Sequence, residues 1–551
     1  MIRRLAPLSL LALSACATLP TTSSGELQIL AINDFHGNLE VPAQPTTWYG
    51  TPANVPSGQQ SAILGGAARL GAQLASMREG HASSITVAAG DLISASPLIS
   101  SYYLDEPSIA ALSQMGLDLA AVGNHEFDRG TAELTRLQQG GCGQNTPKQP
   151  CALEPFSGAS FQYLAANVLD EAGNTLFPGT AVKQFGDVTV GFIGMTLKET
   201  AQVSSPAGTA GWRFAEEAET ANRLAGELQA EGADLIVLLL HQGGAVDGMF
   251  RADDCPGLDG AVVPIMERLS PAIPLVVSGH THNAYVCRVP QAGGGERLLT
   301  SAGRYGNFVT DIRAARDDNG RWTFNALNVP VTGAAGEQQG IAALVSRYAA
   351  ATSGVSNRVV GQIAGSLERG TQIDGPLGRL VADAQLAATR AQGARIAFIN
   401  QGGVRTTFTP AADGSVTFGQ LYALQPFGNT LEVVELSGAD LLRLLEEQFQ
   451  VGQDGGTMLF PSRGFAFAFD PSRPVGSRIT SATLDGQPLA PGGTYRVTVN
   501  NFLASGGDGF TVLKGGTNVG HGGVDLDALV AFITGGVSVD PAARITRVGA
   551  L

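Results

Sequence analysis

An alternation of short apolar runs with helical patterns in the N-terminal half is the feature that most constrains the fold. The runs have the length of β-strands and lie at Leu27–Ile32, Ile85–Ala89, Leu119–Val122, Val188–Ile193, Leu235–Leu240 and Leu275–Val277. Between them, Ala67–Met77 and Ala215–Glu231 carry apolar residues at every third or fourth position, which predicts helices. Strands that alternate with helices predict an α/β fold.

Asp, Asn or His residues follow five of these runs, at the point where each predicted strand ends. They are Asp34 and His36, then Asp91, then Asn124 and His125, then His241, and finally His280 and His282. In open α/β sheets, ligands bind beyond the carboxyl ends of the strands, so these side chains should converge. The chain has seven His, and only His81 and His521 lie elsewhere.

The residue types at these strand ends favour a metal centre. Imidazole and carboxylate together suit Zn, Mn, Fe or Co. Their number exceeds what one ion needs, unless a carboxylate bridges two ions. Taken singly, a strand-end Asp usually caps a turn or helix, and a lone His is usually structural. Five segments that share the pattern make the metal interpretation the stronger one.

The C-terminal half predicts a second α/β domain, as expected for a chain of 551 residues. Its predicted strands and helices are Ile396–Ile399, Thr430–Leu436, Tyr495–Val499, Leu377–Ala391 and Gly438–Gln448. The composition changes at Gly333–Gln339, and a predicted helix follows at Ile341–Ala351. We therefore expect a first domain over 26–332, a linker with a helix over 333–355, and a second domain over 356–551.

The first residues predict an export signal. Arg3 and Arg4 precede the apolar run Leu5–Leu13, which is too short to span a membrane. The run ends in Leu-Ser-Ala-Cys16, which resembles a bacterial lipobox. Residues 1–15 would then be a signal peptide and 16–25 a tether, with Cys16 lipidated and the protein facing the periplasm or the cell surface. An ordinary cleaved signal with a chance cysteine is the alternative.

Four further cysteines suggest disulfides in an exported protein. Cys142 and Cys151 flank one loop and are expected to pair, which leaves Cys255 with Cys287. Zinc binding is the weaker alternative, because none of the four lies in a C-x-x-C pair. The net charge of −14 excludes a protein that coats nucleic acid, whereas a small anionic substrate at a metal site remains compatible with it.

The strand-end motifs resemble the signature of the calcineurin-like metallophosphoesterases. Three longer strings, Asn33–Asn38, Ala89–Leu98 and Val122–Asp128, resemble the bacterial 5′-nucleotidase and UDP-sugar hydrolase branch of that family. The resemblance implies an N-terminal metallophosphoesterase β-sandwich flanked by helices, a linker helix and an α/β C-terminal nucleotidase domain.

The resemblance also implies two divalent ions, such as Zn, Mn or Co. One would be held by Asp34, His36, Asp91 and His282, and the other by Asp91, Asn124, His241 and His280, with Asp91 as the bridge. Such a pair of ions activates a shared water and clamps the phosphate for in-line attack. His125 would lie beside the phosphate and assist the leaving oxygen. Asp128 would orient the His125 ring, unless it is simply an acid at a helix start, and Glu126 is expected to be structural.

The substrate residues implied by the resemblance lie in the C-terminal half. Asn400 to Arg405 resembles the family's Asn-Gly-Gly-Gly-x-Arg loop, with Gln401 in place of Gly. Phe427 and Phe502 would sandwich the base, Asp508 would bind ribose hydroxyls, and Arg405 would bind phosphate or carboxylate oxygens. The remaining implied contacts are Asn400, Asn429 and Arg369. The metals and the base pocket would then lie on different domains, so that turnover requires closure about the linking helix.

The function that these residues predict is hydrolysis of a nucleoside 5′-monophosphate to nucleoside and phosphate, and UDP-sugars are further expected substrates. The alternatives on the same fold are a 2′,3′-cyclic nucleotide phosphodiesterase and a sulfur-oxidation hydrolase. A non-catalytic surface-binding lipoprotein is the alternative from another class. We expect a monomer that meets the membrane only through the lipid at Cys16.

Overall fold

The computed structural model describes residues 26–50, 58–204, 206–317, 320–363, 367, 373–407, 409–449, 457–537 and 539–549. The expected signal and tether, including Cys16, lie outside the described residues, and so does Arg369. Among the residues that are described, no helix combines the length and apolar character that a membrane crossing needs.

Two six-stranded sheets form the N-terminal half. In spatial order, the strands of the first sheet are Trp322–Pro330, Phe308–Arg316, Leu27–Ile32, Ser84–Ala88, Leu119–Ala121 and Gln162–Leu164. Those of the second sheet are Ala284–Pro290, Glu296–Ala302, Leu275–Ser278, Leu235–His241, Val188–Thr196 and Thr180–Phe185. The central strands of both sheets are parallel. Antiparallel strands lie at both edges of the second sheet and at one edge of the first, whose other edge strand, Gln162–Leu164, is parallel.

The two sheets pack face to face, and helices cover their outer faces. In the strand Leu27–Ile32, Leu27 and Ile29 face the other sheet, while Leu30 packs under the helices. The strand Leu235–His241 alternates in the same way. Burial on both faces explains why these strands read as continuous apolar runs. The predicted α/β class and flanked β-sandwich are confirmed.

The helices of this half lie between its strands in the sequence. They are Ala67–Arg78, Leu98–Ser101, Glu106–Gln114, Thr131–Gln139, Thr200–Val203, Pro206–Thr209, Glu217–Ala230 and Val262–Arg268. Two small ribbons complete it, Thr46–Gly50 with Gly58–Ala62 and Val168–Leu169 with Arg213–Phe214.

One long helix, Gln339–Ser356, covers the predicted linker helix and extends beyond it at both ends. Its buried residues Ile341, Leu344 and Tyr348 belong to the core beneath the helices of the first sheet. The helix also contacts the helix Phe418–Leu424 of the C-terminal half. It is therefore packed onto the first half along its apolar stripe and is not an extended connection.

The C-terminal half holds a five-stranded and a four-stranded sheet. The first has the order Leu459–Pro461, Ile396–Asn400, Thr494–Asn500, Thr430–Ser437 and Thr517–Val524, and the second Gln487–Pro488, Ile479–Leu484, Phe465–Phe469 and Ile545–Arg547. Val359–Gln362 pairs with Ser415–Thr417. The helices are Pro376–Thr389, Phe418–Leu424, Gly438–Glu447, Asn501–Ala504 and Asp525–Thr534.

Both expected disulfides are present. Cys142 pairs with Cys151 at a Cα–Cα distance of 5.5 Å, and Cys255 pairs with Cys287 at 5.3 Å. The first closes the loop after Thr131–Gln139, and the second ties a loop to the strand Ala284–Pro290. The alternative of a zinc site built from these four cysteines is therefore wrong.

Candidate functional site

The polar residues at the strand ends converge at one edge of the β-sandwich. Two groups can each hold a metal ion, one formed by Asp34, His36 and His282 and the other by Asp91, His241 and His280. Within each group, the candidate ligand atoms lie within 4.8 Å of one another. Convergence follows from the parallel pairing, because the central strands of both sheets end at this edge.

The backbone at this edge is unusual. Asp34, His36, Asp91, His280 and His282 all have positive φ values, between 46° and 72°. A non-glycine residue in this region costs of order 1–3 kcal/mol and persists only where the surroundings impose it. Five such residues within one cluster indicate a site that is held in place for function.

Hydrogen bonds to backbone carbonyls set the tautomers of two buried imidazoles. His241 Nδ1 lies 2.7 Å from the carbonyl oxygen of Ala89, and His36 Nδ1 lies 3.0 Å from that of Ser94. In each ring Nδ1 carries the proton that the carbonyl oxygen accepts, so Nε2 is the nitrogen directed into the site. This is the arrangement that metal-ligating histidines adopt.

The candidate ligand atoms of each group face one another across the site. His241 Nε2 lies 3.0 Å from Asp91 Oδ2 and 3.1 Å from Asn124 Oδ1, and His280 Nδ1 lies 3.0 Å from the same amide oxygen. In the other group, His36 Nε2 lies 3.1 Å from His282 Nε2. Imidazole nitrogens, a carboxylate and an amide oxygen are ligand types that divalent ions bind, and here they converge within a few ångström. The donor set therefore fits two divalent ions.

One carboxylate faces both groups. Asp91 Oδ2 lies 3.0 Å from His241 Nε2 and 3.6 Å from His36 Nε2, as a bridging ligand requires. Burial raises the pKa of Asp91, but the charges on His241 and His125 outweigh it and hold the pKa well below its usual range. Burial raises the pKa of Asp34 to about 7, and a cation at the site would favour its ionised form.

Glu126 ties the loops of the site together. Its carboxylate accepts hydrogen bonds from the backbone N–H groups of Asp91 at 2.9 Å, Leu92 at 2.8 Å and Gly123 at 2.7 Å. It therefore holds two strand ends in register, in agreement with the structural role expected for it.

His125 lies beside both groups without joining either. Its Nδ1 lies 2.7 Å from Asp128 Oδ2, and its backbone N–H donates to Asp91 Oδ1 at 2.8 Å. Burial lowers the pKa of His125, but the carboxylates of Asp128 and Asp91 outweigh it and leave the pKa raised. The ring is thus oriented by Asp128 and tends to carry a proton.

Two side chains of the C-terminal half reach this edge of the sandwich. Arg405 Nη2 lies 3.4 Å from His36 Nε2. The ring of Phe427 stacks on His125 at 5.9 Å between centroids, and the guanidinium of Arg405 lies 5.7 Å from the Phe427 centroid. The metal groups and the predicted substrate loops therefore meet in one place.

The other predicted substrate residues form separate contacts. Asn400 donates to Asp508 Oδ2 at 2.6 Å, and Asp508 has a φ of 53°. The ring of Phe502 lies against Gly507, where a side chain would clash with it. Asn429 bonds the carboxylate of Asp525 through its side chain, so its amide is directed into its own domain. For Arg369, the prediction lies outside the described residues.

Sequence reasoning missed Arg304 and Tyr305. They follow the strand Glu296–Ala302, which is parallel to Leu275–Ser278 and ends at the same edge. The Tyr305 ring lies edge-on to His36 and His282, at centroid distances of 6.0 and 5.6 Å. The apolar run Leu298–Leu299 followed by Gly303 was the available signal, but no His or Asp marks its end.

Comparisons with known proteins agree with this geometry. Residues 354–515 match the family model of the 5′-nucleotidase C-terminal domain. A snake venom 5′-nucleotidase of Gloydius brevicauda is 26% identical over 94% of this chain and 88% of its own length. The crystal structure of a 5′-nucleotidase precursor from Thermus thermophilus matches with a TM-score of 0.77 at 27% identity, over 96% of this chain and 100% of that one.

Endonuclease YhcR of Bacillus subtilis is a longer relative. It is 28% identical over an alignment of 523 positions that covers 92% of this chain. The chain spans 39% of the length of that protein.

Proposed function

The chain belongs to the 5′-nucleotidase family of metal-dependent phosphoesterases, and on that premise we propose that it hydrolyses nucleoside 5′-monophosphates to nucleoside and inorganic phosphate. The proposal is carried by one observation: Arg405 and Phe427 of the C-terminal half contact His36 and His125 at the candidate metal centre. A guanidinium and an aromatic ring at the candidate metal centre support a substrate that carries both a phosphate and a base. UDP-sugars are proposed as further substrates.

Two divalent ions would be held by the residues whose candidate ligand atoms converge at the strand ends. Asp34, His36, Asp91 and His282 would hold one ion, and Asp91, Asn124, His241 and His280 the other. Ions at these positions would polarise the phosphate and lower the pKa of an attacking water. Imidazole, carboxylate and amide ligands suit Zn, Mn or Co.

His125 is proposed to act on the leaving group. Its Nδ1 proton is held by Asp128 at 2.7 Å, so the proton on Nε2 is the one available to the substrate. Burial lowers the pKa of His125, but the carboxylates of Asp128 and Asp91 outweigh it and favour the protonated ring. His125 would donate the Nε2 proton to the leaving 5′-oxygen, and Asp128 would stabilise the ring in the required orientation.

The C-terminal half is proposed to bind the rest of the nucleotide. Arg405, which has no carboxylate partner among the described residues, would bind a phosphate oxygen. Phe427 and Phe502 would stack on the base, and Asp508 would accept hydrogen bonds from ribose hydroxyls. Asn400 already donates to Asp508 and would fix its orientation. Asn429 and Arg369 complete the proposed contacts.

Export and lipid anchoring at Cys16 are proposed from the N-terminal sequence. The two disulfides fit an oxidising compartment. Both parts of the site come from one chain, so a monomer would suffice for catalysis. The net charge of −14 favours a small nucleotide over a nucleic-acid polymer as substrate.

Phosphate release tests the proposal. The protein lacking residues 1–16 is assayed on AMP, UDP-glucose and a 2′,3′-cyclic nucleotide with Mn²⁺ or Zn²⁺ added, with EDTA as the control. Metal-dependent release from AMP is the expected result, with strong loss in His125→Ala. Metal-loaded protein that releases no phosphate from AMP would contradict the proposal.

A further inference from the structure

We propose that Arg304 is a specificity-determining residue that binds a second anionic group of the substrate, adjacent to the phosphate that is cleaved. The inference deepens the proposed nucleotidase function and rests on it for the position of the cleaved phosphate. It assigns to the site a preference for nucleotides that carry two linked phosphates, and it names the residue responsible.

The backbone fixes Arg304 at the rim of the candidate metal centre. Arg304 leaves the second sheet at the same edge as His280 and His282, because its strand is parallel to theirs. The next residue, Tyr305, donates its backbone N–H to the carbonyl oxygen of Asp34 at 2.7 Å and has a φ of 58°. The segment is thereby bonded directly to a candidate metal ligand.

Aromatic rings hold the guanidinium of Arg304 on two sides. Its Cζ lies 4.9 Å from the ring centroid of Tyr305 and 5.7 Å from that of Phe250. Stacking fixes the plane of a guanidinium and leaves its N–H edge available for an anion. The Tyr305 ring thus contacts this guanidinium and also lies edge-on to the imidazoles of His36 and His282.

The charge of Arg304 is not matched within the described part of the chain. No carboxylate forms an ion pair with it there, and its buried Nε has no hydrogen-bond partner. A buried donor that has given up water without a partner destabilises the protein, and more so when it is charged. Arg405 shares both properties. An anionic ligand would satisfy both side chains at once.

The two arginines approach the same ligand group from opposite domains. Arg304 stacks on the ring of Tyr305, and the centroid of that ring lies 5.6 Å from the centroid of the His282 ring. Arg405 reaches His36 at 3.4 Å and is suited to the phosphate at the metal centre. Arg304 contacts the Tyr305 ring and is suited to a second anionic group of the substrate, adjacent to that phosphate.

Charge matching selects the class of substrate. A phosphate monoester carries two negative charges, which two divalent ions and Arg405 already match. A second arginine gains a partner only if the substrate brings another anionic group, as a nucleoside diphosphate or a nucleotide sugar does. Arg304 therefore distinguishes phosphoanhydride substrates from simple monophosphates.

The test compares two ligands in the metal-loaded protein carrying Arg304→Gln. Calorimetry measures the Kd of an ADP analogue with a methylene group between the phosphates, and steady-state kinetics measure KM for AMP. We expect the Kd of the analogue to rise about tenfold or more, as for a lost charged hydrogen bond. We expect KM for AMP to change by less than about twofold. Arg304→Lys should bind the analogue with an affinity between those of the wild type and Arg304→Gln, because lysine keeps the charge but loses the planar, stacked guanidinium.

Arg316→Gln is the matched control, because Arg316 also stacks on an aromatic ring, with Cζ 5.1 Å from the centroid of Trp322. It should leave both constants unchanged. An equal rise in both constants for Arg304→Gln, or a rise in neither, would overturn the proposal, as would Arg304→Lys binding as weakly as Arg304→Gln. Wild-type protein that binds the analogue but releases no phosphate from AMP would instead contradict the proposed function alone.

Discussion

The two halves of the candidate site are built in different ways. On the N-terminal side, every candidate metal ligand follows a central strand, and most are fully buried with hydrogen bonds to neighbouring backbone. On the C-terminal side, Arg405, Phe427 and Phe502 lie on loops or at a helix start and are partly exposed. Of these three residues, Arg405 and Phe427 contact residues of the metal centre through their side chains.

This difference separates chemistry from recognition. Ligands of metal ions must hold their geometry to within a fraction of an ångström, and sheet edges provide that rigidity. Loops tolerate changes in sequence and conformation, so substrate preference can vary while the chemistry is kept. Mutations on the N-terminal side should therefore abolish turnover, whereas those on the C-terminal side should alter affinity.

The largest effect is expected for Asp91→Asn. The variant loses the negative charge that faces both ligand groups, and we expect phosphate release from AMP to fall by about 10³-fold or more, with fewer metal ions bound. Metal analysis and the AMP assay measure this. Asp187→Asn, an exposed change in the same half, is the control. If Asp91→Asn kept both ions and its activity, Asp91 would not be a bridging ligand. The contrast between the two halves of the site would then be wrong as well.

A smaller effect is expected for His125→Ala, because His125 contacts the ligand group without belonging to it. Loss of general acid assistance should lower kcat by about 10²–10⁴-fold while the bound metal is unchanged. Asp128→Asn should lose less, about 10–100-fold. His521→Ala, on an exposed strand of the C-terminal half, should have no effect. Loss of metal in His125→Ala would show that His125 belongs to the ligand set after all.

Arg405→Gln should affect affinity more than turnover. Loss of a charged hydrogen bond to the phosphate is expected to lower kcat/KM for AMP by about 10–100-fold, mainly through KM. Arg395→Gln is the control, since its ion pair with Asp485 is largely exposed. A fall confined to kcat would place Arg405 in the chemical step and weaken the division between chemistry and recognition.

The smallest effect on activity is expected at Asp525, the carboxylate that hydrogen-bonds Asn429. Burial raises the pKa of Asp525 from 3.8 to about 7. The folded protein therefore holds a proton that the unfolded chain releases, so the free energy of unfolding falls as pH rises from about 4 to 7. Asp525→Asn should raise the free energy of unfolding at pH 8 by about 2–4 kcal/mol and change it little at pH 4. Thermal unfolding at the two pH values measures this.

The exposed Asp527→Asn in the same helix is the control for that measurement, and it should show no such pH dependence. Equal stability of Asp525→Asn and wild type at pH 8 would contradict the prediction. If Asp525→Asn also left KM for AMP unchanged, Asn429 would act through its own domain and not through the substrate.

The central strands were predictable because they are buried on both faces. Leu27–Ile32 was predicted at its exact bounds, and Leu235–His241 within one residue. Edge strands such as Trp322–Pro330 were not predicted, since one face is solvated and the apolar run is broken. The candidate ligands were found for the same reason as the central strands, because each one marks the end of a run.

Arg304 and Asn429 show where sequence reasoning stops. Arg304 carries no motif, and only the parallel pairing of Glu296–Ala302 with Leu275–Ser278 brings it to the metal edge. Asn429 lies in a string typical of the family, yet its amide bonds Asp525. In both cases, the direction of one side chain depends on neighbours that are distant in the sequence.

The sequence by itself determined the fold class and the residues of the two candidate metal groups, because hydrophobic periodicity and residue chemistry are local properties. The tertiary structure decided which candidate ligand atoms face one another and that Asp91 faces both groups. It also decided that Arg405, Phe427 and Arg304 lie at one edge of the sheets. These are relations between segments hundreds of residues apart, and only strand pairing and domain packing fix them.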